Sequence, residues 1–246
     1  MLIDEATYYI TIVFNPAITK EGPPATHFLA MVQVDTDNET FLIIVTSLIV
    51  ELSLWTGNEA AAKKGGEAAV EAAKAAGWTD IKCIEIAGVQ GDQTNTARMN
   101  GYKAGVEEAG GTFLSDEVQY ADATADRATT AMEAIMQTHP EGIAIICANN
   151  DDMAMAAARA AQGHDAYKNT IFLGFNGDRA ACEAILAGQM TMSVAQMAYE
   201  MGYKAVETMI QVLDGETVDE FVDSGSDVVT PDNAQERLDT LKTQIH

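Results

Sequence analysis

Residues 142–155 read Gly-Ile-Ala-Ile-Ile-Cys-Ala-Asn-Asn-Asp-Asp-Met-Ala-Met. The unbroken apolar run at 142–148 predicts a strand covered on both faces, because a half-exposed strand would alternate apolar and polar residues. Asn149, Asn150 and Asp151 favour the start of a helix, and the alanine-rich segment after them predicts a helix over 151–162. A buried strand that runs directly into a helix is the repeating unit of a parallel α/β sheet.

The same alternation of strands and helices extends over most of the chain. Further strands are predicted at 81–87, 112–119, 170–175 and 190–195. Helices are predicted at 58–76, 94–109, 124–138, 178–187 and 198–213, with a last helix that has Pro231 at its first position. We therefore predict an α/β fold with parallel sheets flanked by helices.

The first 57 residues depart from this pattern. Strands are predicted at 8–14 and 28–34, and one or two more within 41–55. The segment between the first two strands contains Gly22-Pro23-Pro24 and no helical period, so it barely provides the dozen or so residues that a parallel crossover needs. We interpret this part of the chain as irregular or incomplete.

The chain is strongly acidic. Its 246 residues include 14 Lys and Arg against 37 Asp and Glu, a net charge of −23. This charge repels phosphate backbones and anionic lipids, so no nucleic-acid partner is expected. The most apolar segment, 41–55, is shorter than the roughly 20 residues of a membrane span, so no direct membrane insertion is expected. Cys83, Cys147 and Cys182 are predicted to be buried free thiols.

Polar side chains follow the predicted strands where each strand ends. They are Asn15, Asp35, Arg98, Asn149, Asn150, Asp151, Asn176 and Gln196. Such groups can donate to and accept from the hydroxyls of a polyhydroxylated neutral ligand. Each also has an alternative interpretation: Asn149 and Asp151 as helix N-caps, Asn176 as part of a turn, and Arg98 as a surface charge. Their repetition at one sheet edge favours a ligand site.

Common enzyme motifs are missing from the sequence. It contains no G-x-S-x-G, no G-x-x-x-x-G-K-[ST] and no H-E-x-x-H. The four histidines, at 27, 139, 164 and 246, have no metal-ligand spacing. We therefore expect a protein that is not an enzyme, with no catalytic residue, no metal and no cofactor.

Several motifs in order resemble one known family. They are Glu85-Ile-Ala-Gly-Val-Gln-Gly91, Ala97-Arg-Met-Asn-Gly-Tyr102, Ala148-Asn-Asn-Asp-Asp-Met-Ala154, Gly174-Phe-Asn-Gly177 and Val194-Ala-Gln196. Together they resemble the type I periplasmic sugar-binding proteins, the ribose- and galactose-binding group. The resemblance implies a non-enzymatic solute-binding protein that captures a monosaccharide or related polyol between two lobes for ABC-type import.

The resemblance also implies roles for individual residues. The ligand-binding residues would be Arg98, Asn150, Asn176, Gln196, Asn15 and Asp35. Asn176 stands where ribose binders have Asp, and Thr36 stands where they have Arg. An amide at 176 cannot form the charge-assisted hydrogen bonds that an Asp forms with sugar hydroxyls, so the ligand specificity would differ from that of the ribose binders.

The implied organisation is two-lobed, with an incomplete first lobe. Residues 1–56 with 197–225 would form the N-terminal lobe, and 57–196 with 226–246 the C-terminal lobe. About two βα units of the family would be absent from the first lobe. The exposed sheet edge and the apolar segment 41–55 would then favour self-association.

Partners and location follow from the same resemblance. The expected partners are a small-molecule sugar and the membrane permease of an ABC importer. The expected location is periplasmic or extracellular, although the first residues, Met-Leu-Ile-Asp-Glu, show no signal peptide. Two alternatives stay open: a small-molecule sensor or regulatory module of the same fold, and an α/β enzyme that acts on a sugar.

Overall fold

The computed structural model of the chain describes residues 7–13, 29–36, 39–44, 53–214, 216–219 and 221–244. The fold divides into two compact units. Unit 1 comprises Met1–Leu54 and Ile210–Val222, and unit 2 comprises Trp55–Met209 and Asp223–His246. The two-lobe division implied by the resemblance, which assigns 197–225 to the first lobe, stays a prediction.

Unit 1 contains a three-stranded antiparallel sheet in the order β1-β2-β3. Its strands are β1 (Thr7–Val13), β2 (Leu29–Thr36) and β3 (Glu39–Ile44). The strands predicted in this part of the chain are present, and in the described residues they pair antiparallel rather than in the parallel arrangement of unit 2. Two residues separate β2 from β3, and a connection that short can join only antiparallel neighbours.

Unit 2 is built on a mixed, mostly parallel sheet in the order β12-β10-β9-β8-β5-β6. The central strands β5 (Lys82–Ala87), β8 (Ile145–Ala148), β9 (Ile171–Asn176) and β10 (Met192–Gln196) are parallel. Strand β12 (Ser226–Val229) runs antiparallel to β10. The predicted α/β fold is thus confirmed. Two short strands, β4 (Ser53–Trp55) and β11 (Phe221–Asp223), lie at the boundaries of the units.

Helices cover both faces of the unit 2 sheet, as the apolar strands predicted. The helices are α1 (Asn58–Ala75), α2 (Gln93–Glu108), α3 (Ala125–Thr138), α4 (Asp151–Ala160), α5 (Arg179–Leu186), α6 (Ala198–Leu213) and α7 (Ala234–Gln244). Residues of α1 and α2 pack on one face, and residues of α3, α4, α5 and α7 pack on the other.

The three cysteines are buried free thiols, as predicted. Within the described residues, no helix combines the length and apolar character of a membrane span.

Helices α1 and α2 approach each other closely through glycines. A Cβ added at Gly101 would overlap the carbonyl of Glu59, and one added at Gly105 would overlap the carbonyl of Lys63. The alanines and glycines of these helices therefore let two backbones lie almost in contact. This packing fixes Arg98, on α2, relative to the start of α1.

Two predicted elements differ in the structure. The strand predicted at 112–119 is two short strands, β6 (Thr112–Phe113) and β7 (Gln119–Tyr120), on either side of a 3₁₀ turn. The polar Ser115–Glu117 turn closes with a bond from the Glu117 N–H to the Leu114 carbonyl, which takes the chain out of the sheet. Pro231 lies in a turn before α7 rather than at its first position, because the Asn233 side chain accepts from the Thr230 N–H and closes that turn.

Candidate ligand-binding site

The parallel strands of unit 2 bring polar residues to one edge of the sheet. Strands β8, β9 and β10 end at Ala148, Asn176 and Gln196, and these ends lie side by side because the strands are parallel neighbours. Ligands of open α/β sheets bind at this carboxyl edge. Arg98 joins the edge from helix α2.

Arg98 is held in a fixed position under the edge. Its Nε donates to Asn58 Oδ1 at 2.8 Å, and its Nη1 donates to the Asn149 carbonyl at 2.6 Å. Its guanidinium lies 3.8 Å from the centre of the Phe175 ring. Burial lowers the pKa of Arg98 from its usual value. These bonds use Nε and Nη1, and the described residues show none from Nη2, so the guanidinium keeps further donor capacity.

Asn176 and Gln196 contact each other directly. Gln196 Nε2 donates to Asn176 Oδ1 at 2.8 Å, and Thr56 Oγ1 donates to Gln196 Oε1 at 3.2 Å. Asn176 has a φ of 135°, a conformation that side-chain-bearing residues rarely adopt. The strands thus bring two predicted ligand residues together as a pair of amides, each with further donor or acceptor capacity.

Asn150 caps helix α4. Its Oδ1 accepts from the Met153 N–H at 2.9 Å, and its Nδ2 donates to the Ala123 carbonyl at 3.2 Å. The prediction that Asn149 and Asp151 are the N-caps of this helix is therefore wrong, because the cap is Asn150. The role of Asn150 in ligand binding stays a prediction.

The remaining predicted site residues belong to the first part of the chain. Asp35 lies on β2 of unit 1, paired in register with Thr7 and Thr40. Asn15 lies outside the described residues. The structure thus brings Arg98, Asn176 and Gln196 to the edge with Asn150, while Asn15 and Asp35 stay predictions.

A buried carboxyl, that of Glu85, contacts Asn149 at this edge. Glu85, on β5, is fully buried, and its Oε1 accepts from Asn149 Nδ2 at 3.3 Å. Its Oε2 has no hydrogen-bond partner within the described residues. Burial raises the pKa of Glu85 to about 8, and the bond from Asn149 opposes this only in part. The group is therefore mostly neutral at pH 7.

Sequence reasoning missed the contacts by which three residues, Asn58, Asp151 and Arg237, support the edge. Asn58 accepts from Arg98, and its position at the start of α1 gave no signal of this. Asp151 is fully buried and accepts from the Gly177 N–H at 2.8 Å, although its sequence context indicates an exposed cap. Arg237, on the polar helix α7, donates to the Gln196 carbonyl at 2.8 Å. Such long-range contacts leave no local pattern in a sequence.

The site combines several neutral hydrogen-bonding groups with one cation, the Arg98 guanidinium. Among the described residues, no group of three His, Cys, Asp or Glu side chains could hold a metal ion. The amides both donate and accept, the guanidinium donates in a plane, and the Phe175 ring lies against it. Such an arrangement can form hydrogen bonds with the hydroxyl groups of a ligand.

The sequence profile of the family described as "Periplasmic binding protein domain" matches residues 54–217. The chain belongs to this family. Its members are non-enzymatic solute-binding proteins, and the resemblance drawn from the sequence motifs is confirmed.

Individual relatives agree with this assignment. The chain is 31% identical to the ribose import binding protein RbsB of Escherichia coli K12 over 158 residues, which are 64% of this chain and 48% of the relative. An ABC transporter solute-binding protein from Mycobacterium smegmatis with bound glycerol is 30% identical, with a TM-score of 0.62 over 76% of this chain and 63% of that chain. A solute-binding protein from Actinobacillus succinogenes with bound D-allose has a TM-score of 0.66 at 18% identity, over 75% and 63%, and shows the fold alone. The chain spans about half the length of the curated relatives it matches.

Proposed function

We propose that this chain binds a monosaccharide or related polyol at the carboxyl edge of the unit 2 sheet. The observation that carries the proposal is the placement of Arg98, stacked on Phe175, at the same edge as the paired amides of Asn176 and Gln196. These groups offer donors and acceptors in a fixed arrangement, which is what adjacent hydroxyl groups require.

Charge favours a neutral ligand over an anionic one. The chain carries a net charge of −23, which repels anions at a distance. Arg98 already donates to Asn58 and Asn149, so part of its hydrogen-bonding capacity is satisfied within the protein. The hydroxyl groups of a polyol can be bound by neutral amides and a single charged group, and the carboxyl edge of the unit 2 sheet has both.

The names of the relatives support a role in import. The curated relatives include ribose import binding proteins and a D-allose-binding periplasmic protein, and the solved relatives include ABC transporter solute-binding proteins. We propose that this chain delivers its ligand to the membrane permease of an ABC importer, in a periplasmic or extracellular location. We include Asn15 and Asp35 in this proposal as ligand-binding residues. We also propose that the chain self-associates.

Titration calorimetry with ribose, D-allose, glycerol and a charged control, ribose 5-phosphate, tests the binding proposal. We expect saturable binding of at least one neutral compound and none of the phosphate. Mass spectrometry of the recovered compound would contradict the proposal if it showed turnover, which would favour the enzyme alternative. The absence of binding to every neutral compound would also contradict it. Light scattering over a concentration series reports self-association separately.

A further inference from the structure

In the turn that follows strand β9, side chains form hydrogen bonds with both the N–H and the carbonyl of Gly177. The Gly177 N–H donates to Asp151 Oδ2 at 2.8 Å and to Ser193 Oγ at 3.0 Å. The Gly177 carbonyl accepts from Arg237 Nε at 3.2 Å. Side chains from three distant elements, α4, β10 and α7, thus bind both backbone groups of Gly177.

Asp151 holds the N–H side of the turn from inside the protein. It is fully buried, and its Oδ2 also accepts from the Asp178 N–H at 3.3 Å. Its other oxygen, Oδ1, accepts from Ser193 Oγ at 2.6 Å. A carboxylate is costly to bury, so these donors are what make its position tolerable.

Arg237 holds the carbonyl side from helix α7. Besides the Gly177 carbonyl, it donates through Nη2 to the Gln196 carbonyl at 2.8 Å. One guanidinium thus ties the end of β10 to the turn after β9, and these are the two strand ends that carry the paired amides. The planar fork of arginine suits this double contact, which a lysine could not reproduce.

Space around the turn is also restricted. Gly177 has a φ of 63°, and a Cβ at this position would overlap Ala195. A Cβ at Gly174 would overlap Asp151 Oδ1. Both positions therefore need a residue without a side chain, and the turn packs tightly against Ala195 and Asp151.

We propose that Asp151 and Arg237 are positioning residues for the ligand site: by holding the Gly177 backbone, they set the orientation of the Asn176 and Gln196 side chains. Asn176 directly precedes the held peptide and has a φ of 135°, so its side chain is aimed by a backbone that would relax without support. The inference rests on the proposed function for its ligand, but the geometry of the turn can be tested without one.

The test uses matched variants of the full chain. Asp151→Ala and Arg237→Met remove one support each. Asp151→Asn keeps an acceptor for the Gly177 N–H, while its Nδ2 would donate to Ser193 Oγ instead of accepting from it, so it is the conservative variant. Asp152→Ala, on the exposed side of the same helical turn, and Arg179→Met, an exposed arginine on α5, are the controls.

Two readouts separate positioning from plain stability. Amide hydrogen exchange by NMR, without ligand, reports the Gly177 and Asp178 N–H groups, and the side-chain amide shifts report Asn176 and Gln196. Calorimetry reports the Kd of the sugar that binds the parent chain. We expect Asp151→Ala and Arg237→Met to speed Gly177 exchange and to weaken sugar binding, each by about tenfold. Asp151→Asn should stay within about threefold of the parent chain, and both controls should leave exchange and Kd unchanged.

Each outcome bears on the inference separately from the proposed function. If Arg237→Met shifts neither the Asn176 and Gln196 amides nor the Kd beyond the controls, the inference is overturned, even where Asp151→Ala fails to fold. If the parent chain binds no sugar, the proposed function fails. In that case faster Gly177 exchange with shifted Asn176 and Gln196 amides supports the positioning role, and unchanged exchange overturns it.

Discussion

The guanidinium of Arg98 lies 3.8 Å from the centre of the Phe175 ring. Arg98 comes from helix α2 and Phe175 from strand β9, so the stacked pair joins two elements that are far apart in sequence. The bond from Arg98 to the Asn149 carbonyl adds the end of β8 to the same group. The arginine is thus oriented before any ligand arrives, which lowers the entropy that binding would cost.

Replacing Arg98 tests this orientation. We expect Arg98→Ala to weaken sugar binding by about 1.5–3 kcal/mol, the scale of a hydrogen bond to a charged group. Arg98→Lys should recover only a minor part, because an ammonium cannot stack on Phe175 and donate to Asn58 and Asn149 together. Calorimetry measures both variants, with the exposed Arg127→Lys as the control. An unchanged Kd in Arg98→Ala would remove Arg98 from the ligand site.

The sequence predicted the strands and helices of unit 2 because each is encoded by local patterns. The apolar runs that became β8 and β9 are continuous, and helix α3 before β8 ends at the His139 C-cap, next to Pro140. The same patterns placed Asn176 and Gln196 at strand ends and Arg98 in the helix that follows β5, and the carboxyl ends of parallel strands share one edge.

The remaining features depend on contacts between distant residues. Asp151 looks like a helix N-cap in the sequence, and only the fold shows that it is buried and accepts from the Gly177 N–H. Arg237 lies in a polar helix with nothing local to indicate its contact with Gln196. The antiparallel pairing of β1 with β2 also differs from the resemblance, because pairing direction is set by how strands meet rather than by their composition.

The backbone of Asn176 allows a prediction about strain. Asn176→Gly and Asn176→Ala both remove the amide that Gln196 contacts, but only alanine keeps a Cβ at a φ of 135°. We expect the glycine variant to be more stable than the alanine variant by about 1–2 kcal/mol, and both to lose sugar affinity to a similar degree. Urea denaturation and calorimetry measure the two effects. Greater stability of the alanine variant would show that the backbone at 176 is unstrained.

Gly174 provides a test of the packing around Asp151. Gly174→Ala would place a Cβ against Asp151 Oδ1, so we expect a loss of about 1–3 kcal/mol in the free energy of unfolding. Gly202→Ala is the matched control, because a Cβ there meets no atom within 4 Å and lies in helix α6. It should raise stability by up to about 1 kcal/mol. Equal effects of the two changes would contradict the close approach of Asp151 to β9.

The buried carboxyl of Glu85 predicts how stability depends on pH. Burial raises its pKa from 4.5 to about 8, so the folded chain keeps a proton that the unfolded chain releases. The contribution of Glu85 to stability is therefore fully present below pH 4.5 and is lost progressively as the pH rises to about 8.

Glu85→Gln removes this titration while keeping an acceptor for Asn149. As the pH rises from 5 to 8, the free energy of unfolding of the variant should increase relative to that of the parent chain by on the order of 2 kcal/mol. This figure starts from about 1.4 kcal/mol per pKa unit and is reduced because the site relaxes around the charge. Because both chains share every other titrating group, including Asp151, whose pKa burial raises to about 7, those contributions cancel in the difference. Urea denaturation at several pH values measures it, with the exposed Glu133→Gln on α3 as the control. Parallel stability curves for the parent chain and Glu85→Gln would mean that Glu85 is ionised in the folded protein, and that a partner of its Oε2 compensates the burial.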